Sequence, residues 1–129
     1  MSATANPTDR RYTTEHEWIK AEGEHFVVGI TAFAQDQLGD IVYVELPKVG
    51  DQVEAGKQFG VIESVKTASD LYAPVSGEII EVNSGLVDQP QSVNDDPYET
   101  GWMIKIRPVD TAEVGKLLTA EQYGEQTGE

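Results

Sequence analysis

The sequence predicts a mostly β fold, a sandwich or small barrel of short strands with helices at its periphery. Three observations lead there. Short runs rich in β-branched residues alternate apolar and polar positions, glycine and proline interrupt them at close intervals, and the few helix-like stretches are brief. With 129 residues the chain is long enough for one domain around one core.

The elements follow in order. "MSATANPTD" has neither the apolar core of a signal peptide nor the arginines of a transit peptide. It reads as a disordered tail over residues 1–10, with a single domain over 11–125. "HEWIKAEGEHFVVGI" reads as strand, glycine turn and strand. "TAFAQDQLG" reads as a short helix, capped by Thr31 and stopped by a left-handed Gly39. "DIVYVEL" alternates as a strand and Pro47 ends it. "KVGDQVEAGK" holds two glycine turns around a short polar strand, "FGVIES" and "SDLYAP" flank Lys66 as two strands, and "GEIIEVN" is another.

"SGLVDQPQSVNDDPYET" is loop-rich. In "GWMIKIRP", alternation puts Trp102, Ile104 and Ile106 on one face and Met103, Lys105 and Arg107 on the other. Asp110 with Glu113, and Thr119 with Gln122, have the spacing of capping boxes for two terminal helices. A weak echo between "LPKVGDQVEAGKQFGVIE" and "SGLVDQPQSVNDDPYETGWMIKI" hints at two similar halves.

The charge excludes whole classes of function. Twenty-three acidic against nine basic side chains give −14, so there is no basic footprint for nucleic acid and no attraction to an anionic membrane. Partners with basic docking surfaces fit instead. Without cysteine there is no disulfide, thiolate nucleophile or Cys-ligated metal, and the two histidines, His16 and His25, lack a metal-ligand spacing. No stretch has the apolar length of a transmembrane helix, and the cytoplasm is the expected compartment.

No catalytic set emerges. Glu15, His16 and Glu17 read as an exposed strand edge, and no Ser–His–Asp arrangement or phosphate loop is present. Lys66 stands out: it sits at the tip of a hairpin in an acidic chain, between Glu63 and Asp70. Its tip, Val65-Lys66-Thr67, contains no residue that turn chemistry demands, although a type I turn tolerates it. Most surface lysines do nothing specific, but a lysine on a stiff support would suit a tethered group.

The stretch "ESVKTASDLYAPVSGEIIEVN" closely resembles the lipoyl-lysine segment of the glycine cleavage system H proteins. So do "HEWIK", "VGITAFAQDQLGDIVYVELPKVG" and "DPYETGWMIKI", and the likeness runs from about Tyr12 to about Tyr123 in the family's order. Lipoyl domains of 2-oxo acid dehydrogenases usually carry Asp-Lys-Ala at the tip and biotin carriers Met-Lys-Met, and both lack the "HEW" entry and the terminal helices.

The resemblance implies a lipoyl/biotinyl-like sandwich of two small antiparallel sheets, the barrel-sandwich hybrid. It implies lipoate joined as an amide to Lys66, taking the charge from −14 to −15, and a carrier that is not itself an enzyme and holds no metal. A five-membered dithiolane cannot reach the relaxed disulfide dihedral near 90°, so its bond is easily attacked. In the family's cycle the arm takes the aminomethyl group of glycine from a pyridoxal-phosphate decarboxylase (P protein). It delivers the group to a tetrahydrofolate-dependent aminomethyltransferase (T protein) and is reoxidised by dihydrolipoamide dehydrogenase (L protein). A lipoate-attaching enzyme is a fourth partner, and a monomer is expected. By position, Glu63 and Gly77 match residues implicated in lipoylation recognition, and Glu17 and Asp70 match carboxylates near the loaded arm. Gln37 and Glu15 depart from the His and Ser of some members. The competing readings are a lipoyl carrier or donor for another pathway and an unmodified acidic interaction module.

Overall fold

The computed structural model describes residues 6–127. Among the described residues, nine short strands form two antiparallel sheets. The larger, in the order β1-β2-β3-β9-β8-β5, is built from Arg11–Tyr12 (β1), Glu17–Glu22 (β2), His25–Ile30 (β3), Gln52–Val53 (β5), Gly77–Val82 (β8) and Ile104–Pro108 (β9). The smaller, in the order β4-β6-β7, is built from Ile41–Glu45 (β4), Gln58–Ser64 (β6) and Ala68–Tyr72 (β7). The expected sandwich of two small sheets is therefore present, not a closed barrel. Its core joins Ile19, Val28 and Ile30 of β2 and β3 with Ile79, Ile104 and Ile106 of β8 and β9. Ile41, Val44, Ile62 and Leu71 of the smaller sheet complete it.

The helices are peripheral and short. Helix α1, Ala32–Leu38, is capped as its sequence indicates, with the Ala34 N–H donating to Thr31 Oγ1 at 3.1 Å. Gly39 ends it at φ 82° and ψ −156°, a conformation open mainly to glycine, but in the mirror-image extended region and not the left-handed helical one. The segment read as loop contains two single-turn helices, α2 (Gly85–Asp88) and α3 (Ser92–Asp95), which bury Leu86 and Val93. It shares no architecture with the β5–β6 region, so the weak internal echo is not a structural repeat.

Two other expectations change. Met103 precedes β9 and is fully buried, while Trp102 is half-buried with the Lys105 ammonium 5.1 Å from its ring. The alternation therefore holds only from Ile104 onward. Thr119 and Gln122 do form a reciprocal capping box, at 3.0 and 3.2 Å, for α5 (Ala120–Thr127). Glu113, in α4 (Ala112–Gly115), turns away from Asp110 and accepts the Ser76 N–H at 2.9 Å.

A second, aromatic cluster closes the open end of the larger sheet. Tyr12 stacks on Tyr123 with ring centroids 4.9 Å apart, and Trp18 and Val27 complete the cluster. Residues 1–5 of the expected tail lie outside the described residues. Arg10, at its end, is buried with its guanidinium 4.7 Å from the Trp18 ring and 5.2 Å from Tyr98. Tyr123 also carries a polar link. Its hydroxyl lies 2.7 Å from His16 Nδ1 and 2.8 Å from the fully buried Thr31 Oγ1, tying α5 to the start of α1. Tyr123→Phe removes one partner of a buried hydroxyl, and should destabilise the fold by about 1–2 kcal/mol in urea titration while leaving the far-ultraviolet spectrum unchanged.

Candidate functional site

Lys66 occupies the three-residue tip between β6 and β7. The residue that shapes this turn is Ser64, whose buried hydroxyl accepts the N–H groups of Lys66 at 3.1 Å and Thr67 at 3.2 Å. The Ser64 N–H donates to the Thr67 carbonyl at 2.8 Å. A serine hydroxyl thus satisfies amides that a glycine-based turn would leave to its own backbone. That explains how a tip of Val, Lys and Thr is stable.

A second constraint reaches the tip from outside the hairpin. The Val65 N–H donates to the Asp40 carbonyl at 3.0 Å. Asp40 lies in the corner between α1 and β4, and Asn94 of α3 clamps that corner. Asn94 Oδ1 accepts the Ile41 N–H at 2.9 Å, and its Nδ2 donates to Gln35 Oε1 and the Gly39 carbonyl, both at 2.9 Å. The Lys66 stem lies over Gly39: a Cβ built there would sit 3.3 Å from Lys66 Cε. Glycine at this position leaves room for the lysine as well as adopting the required φ. The lysine is exposed and its base is fixed by backbone bonds on both sides.

Beside this base lies a cleft of about 300 Å³, within the range of small-ligand sites. Leu38, one residue before Gly39, and Ser69 and Asp70, just past the lysine tip, form part of its wall. Ile30, Phe33, Ile62 and Leu71 form its apolar side, while Glu15, His16 and Glu17 line its polar side. Gln37 and Glu15, where the sequence departs from some relatives, are both in the wall.

Glu17 is not on an exposed edge. It is 1 % exposed, at the start of β2. Its carboxyl accepts the Thr13 hydroxyl at 2.6 Å and the Tyr72 N–H at 3.2 Å. Burial pushes its pKa up to about 7, against the opposing effect of those two hydrogen bonds. His16 beside it is held at φ 74°, a strained conformation for a non-glycine residue, and its ring packs on Phe33 at 5.1 Å. Burial lowers its pKa, favouring the neutral ring. Asp70 is exposed and takes hydrogen bonds from Gln58 Nε2 at 3.1 Å and the Tyr72 hydroxyl at 3.5 Å.

Of the residues singled out from sequence, the structure brings Glu17 and Asp70 to one cleft, whose wall begins at Ser69 in the strand that leaves the lysine tip. Glu63 is exposed on β6, opposite Ala68 and close to the tip. Gly77 is on the other sheet, where a Cβ would come within 2.3 Å of the Arg107 carbonyl oxygen and 2.7 Å of Ile106 Cγ2. Glycine there is required by the close approach of β8 and β9. Sequence reasoning missed Ser64, Asn94 and the second use of Gly39. Only Ser64 carried a local signal, as a hydroxyl residue at a turn entrance. Among the described residues no group of His, Asp and Glu is placed to hold a metal ion.

The raised pKa of Glu17 makes stability depend on pH. The folded chain binds this proton more tightly than the unfolded chain, so stability is full below about 4.5 and falls as pH rises through about 7. The shift from 4.5 to about 7 corresponds to about 3 kcal/mol. Glu17→Gln should flatten the stability profile between these pH values in urea titrations. An unchanged slope would show that the carboxyl ionises in the fold as freely as in solution.

The sequence comparisons agree with this geometry. The family model for the glycine cleavage H-protein matches residues 10–129. The chain is 58 % identical over 125 residues to the glycine cleavage system H protein of Bacillus pumilus (strain SAFR-032), covering 97 % of this chain and 98 % of that one. It is 57 % identical over 123 residues to that of Bacillus subtilis (strain 168), covering 95 % and 97 %. The crystal structure of a glycine cleavage system H protein from Mycobacterium marinum superposes with a TM-score of 0.89 at 48 % identity, covering 96 % of this chain and all of that one. With a family match spanning nearly the whole chain, and a lysine hairpin fixed beside an acid-lined cleft, the protein belongs to the glycine cleavage H-protein family, the non-catalytic lipoyl carriers of glycine cleavage.

Proposed function

We propose that this chain carries lipoate on Lys66 and shelters its cargo in the cleft beside Glu17 and Asp70. The observation that carries the proposal is the position of the lysine, exposed on a tip pinned by Ser64 and Asp40, with a cleft nearby that has one apolar side and an acidic one holding Glu17 and Asp70. The site fits a lipoyl arm: the walls suit a hydrocarbon chain, and the acidic side suits an amine. Attached to Lys66, the dithiolane would supply a strained disulfide open to attack by a nucleophile and able to carry the aminomethyl group.

The chain's own residues then have separable tasks. Ser64, Asp40 and Asn94 hold the base of Lys66, so motion is confined to the arm. Ile30, Phe33, Ile62 and Leu71 exclude water. Glu17, with its pKa near 7, gives up its proton readily when a cation arrives beside it. Asp70 adds a second negative charge at the cleft mouth. Both favour the ammonium form of the cargo's amine, which has no free lone pair to expel the sulfur. Glu63 and Gly77 serve recognition by the lipoate-attaching enzyme, Glu63 as an exposed charge and Gly77 through the shape of the β8–β9 edge. The partners are the pyridoxal-phosphate decarboxylase, the tetrahydrofolate-dependent aminomethyltransferase and dihydrolipoamide dehydrogenase, in the cytoplasm. The net charge of −14 suits basic mouths on these enzymes.

Lys66→Arg keeps the positive charge but cannot form the amide. It should fold with an unchanged melting temperature, show no lipoyl increment by intact mass and support no glycine decarboxylation. A lipoyl increment on that variant would place the attachment elsewhere.

Glu17→Gln and Asp70→Asn should accept lipoate normally yet release formaldehyde and ammonia from the loaded form several-fold faster without tetrahydrofolate. If both hold their cargo as long as the parent does, protection comes from the apolar walls alone.

A further inference from the structure

Strand β4 breaks the alternation of its sequence. Ile41 and Val44 are buried at 0 % and 1 % exposure, yet both residues between them are exposed, Val42 at 51 % and Tyr43 at 43 %. The register explains this. Ile41 pairs with Ser64 and Tyr43 with the adjacent Glu63, so Val42 is the extra residue of a β-bulge. Bulges re-aim side chains and cluster next to functional sites. Here the bulge presents two consecutive apolar residues beside the lysine tip. Val65, which directly precedes Lys66, is 67 % exposed, and its N–H is bonded to Asp40 at the entry to the same strand.

The sheet face beside the bulge carries an acid, Glu63. Tyr43, Glu63 and Ala68 form a row across the small sheet, and all three are exposed. Among the described residues Glu63 makes no ion pair, although it stands between two carbon-rich neighbours in that row. The surface is therefore complementary to an apolar recess with a lysine or arginine at its edge.

We infer that the Val42–Tyr43 bulge and Val65 form the docking surface for the enzyme that acylates Lys66, a partner presenting such a recess with a cation placed for Glu63. This inference rests on the assignment of lipoate to Lys66. The choice among partners follows from reach. A bare lysine extends only the length of its four-carbon stem, so the acylating enzyme must close on the residues around the tip. Enzymes that work on the loaded arm can stand further away. In the step itself the neutral Lys66 amine attacks the carbonyl carbon of a lipoyl-adenylate. The C–N bond forms as the bond to the phosphate oxygen breaks, AMP leaves, and the nitrogen loses one proton to water.

The test uses the full-length unmodified chain, a lipoate-activating ligase, lipoate and ATP, with acylation followed by intact mass. Val42→Thr, Tyr43→Ser and Val65→Ser change exposed side chains, and thermal unfolding should show that they fold as the parent does. Each should raise the KM of the chain as acyl acceptor by about fivefold or more, with kcat within about twofold. Once loaded, each should be reduced by dihydrolipoamide dehydrogenase and NADH at the parent's rate, a readout that general damage to the hairpin would not spare. Parent-like KM values in all three variants would overturn the docking surface and leave Lys66 as the attachment site. Equal losses in acylation and reduction would also overturn it, by showing a face shared among partners. A parent that gains no lipoyl mass would sink the attachment site and the docking surface together.

Discussion

The hydrogen bond from the Val65 N–H to the Asp40 carbonyl, 3.0 Å long, joins the two parts of the molecule on which the rest depends. One part is the β6–β7 hairpin with Lys66 at its tip. The other is the α1–β4 corner, which forms the adjoining edge of the cleft. A carrier needs a mobile arm on an immobile base, because every freedom in the base dilutes the arm's concentration at each partner's active site. Ser64 stiffens the hairpin from within, and Asn94 stiffens the corner from the far side. The bond between them makes lysine and cleft a single unit.

The cleft's chemistry comes from a compromise at Glu17. A carboxyl at 1 % exposure is costly to ionise, and two hydrogen-bond donors offset only part of that cost. The result is a group poised near pH 7. A fully solvated carboxylate would hold a cation weakly, and a fully unpaired buried one would stay protonated and hold none. Glu17 sits between these limits, while Asp70, close by and exposed, remains bonded to Gln58 and Tyr72. Two acids with different surroundings, one buried and one exposed, thus share one cleft.

The same strand that helps fix the lysine also shapes the surface around it. Ile41 and Val44 of β4 are core residues, and Ile41 is held by Asn94, whereas the bulge between them turns Val42 and Tyr43 outward. Core and surface apolar residues are interleaved within five residues through one irregularity of register. Gly77 shows the reverse case. Its lack of a side chain is fully occupied by packing against Arg107 and Ile106, so any part it takes in recognition acts through strand geometry.

Local patterns determined a great deal. Alternation and turn residues located most of the strands, Thr31 and the Thr119–Gln122 pair marked helix starts, and ordered motifs around Lys66 identified the family. Each of these depends on residues close in sequence, where period, capping and turn chemistry operate. The tertiary structure decided the rest. Glu17 read as an exposed edge because nothing nearby in sequence reveals that Tyr72, 55 residues away, delivers an N–H to its carboxyl in a buried site. Asn94 read as a loop residue because its partner Ile41 lies 53 positions earlier. Burial, pKa and strand register are properties of which distant segments meet, and that is settled only when the two sheets close on their common core.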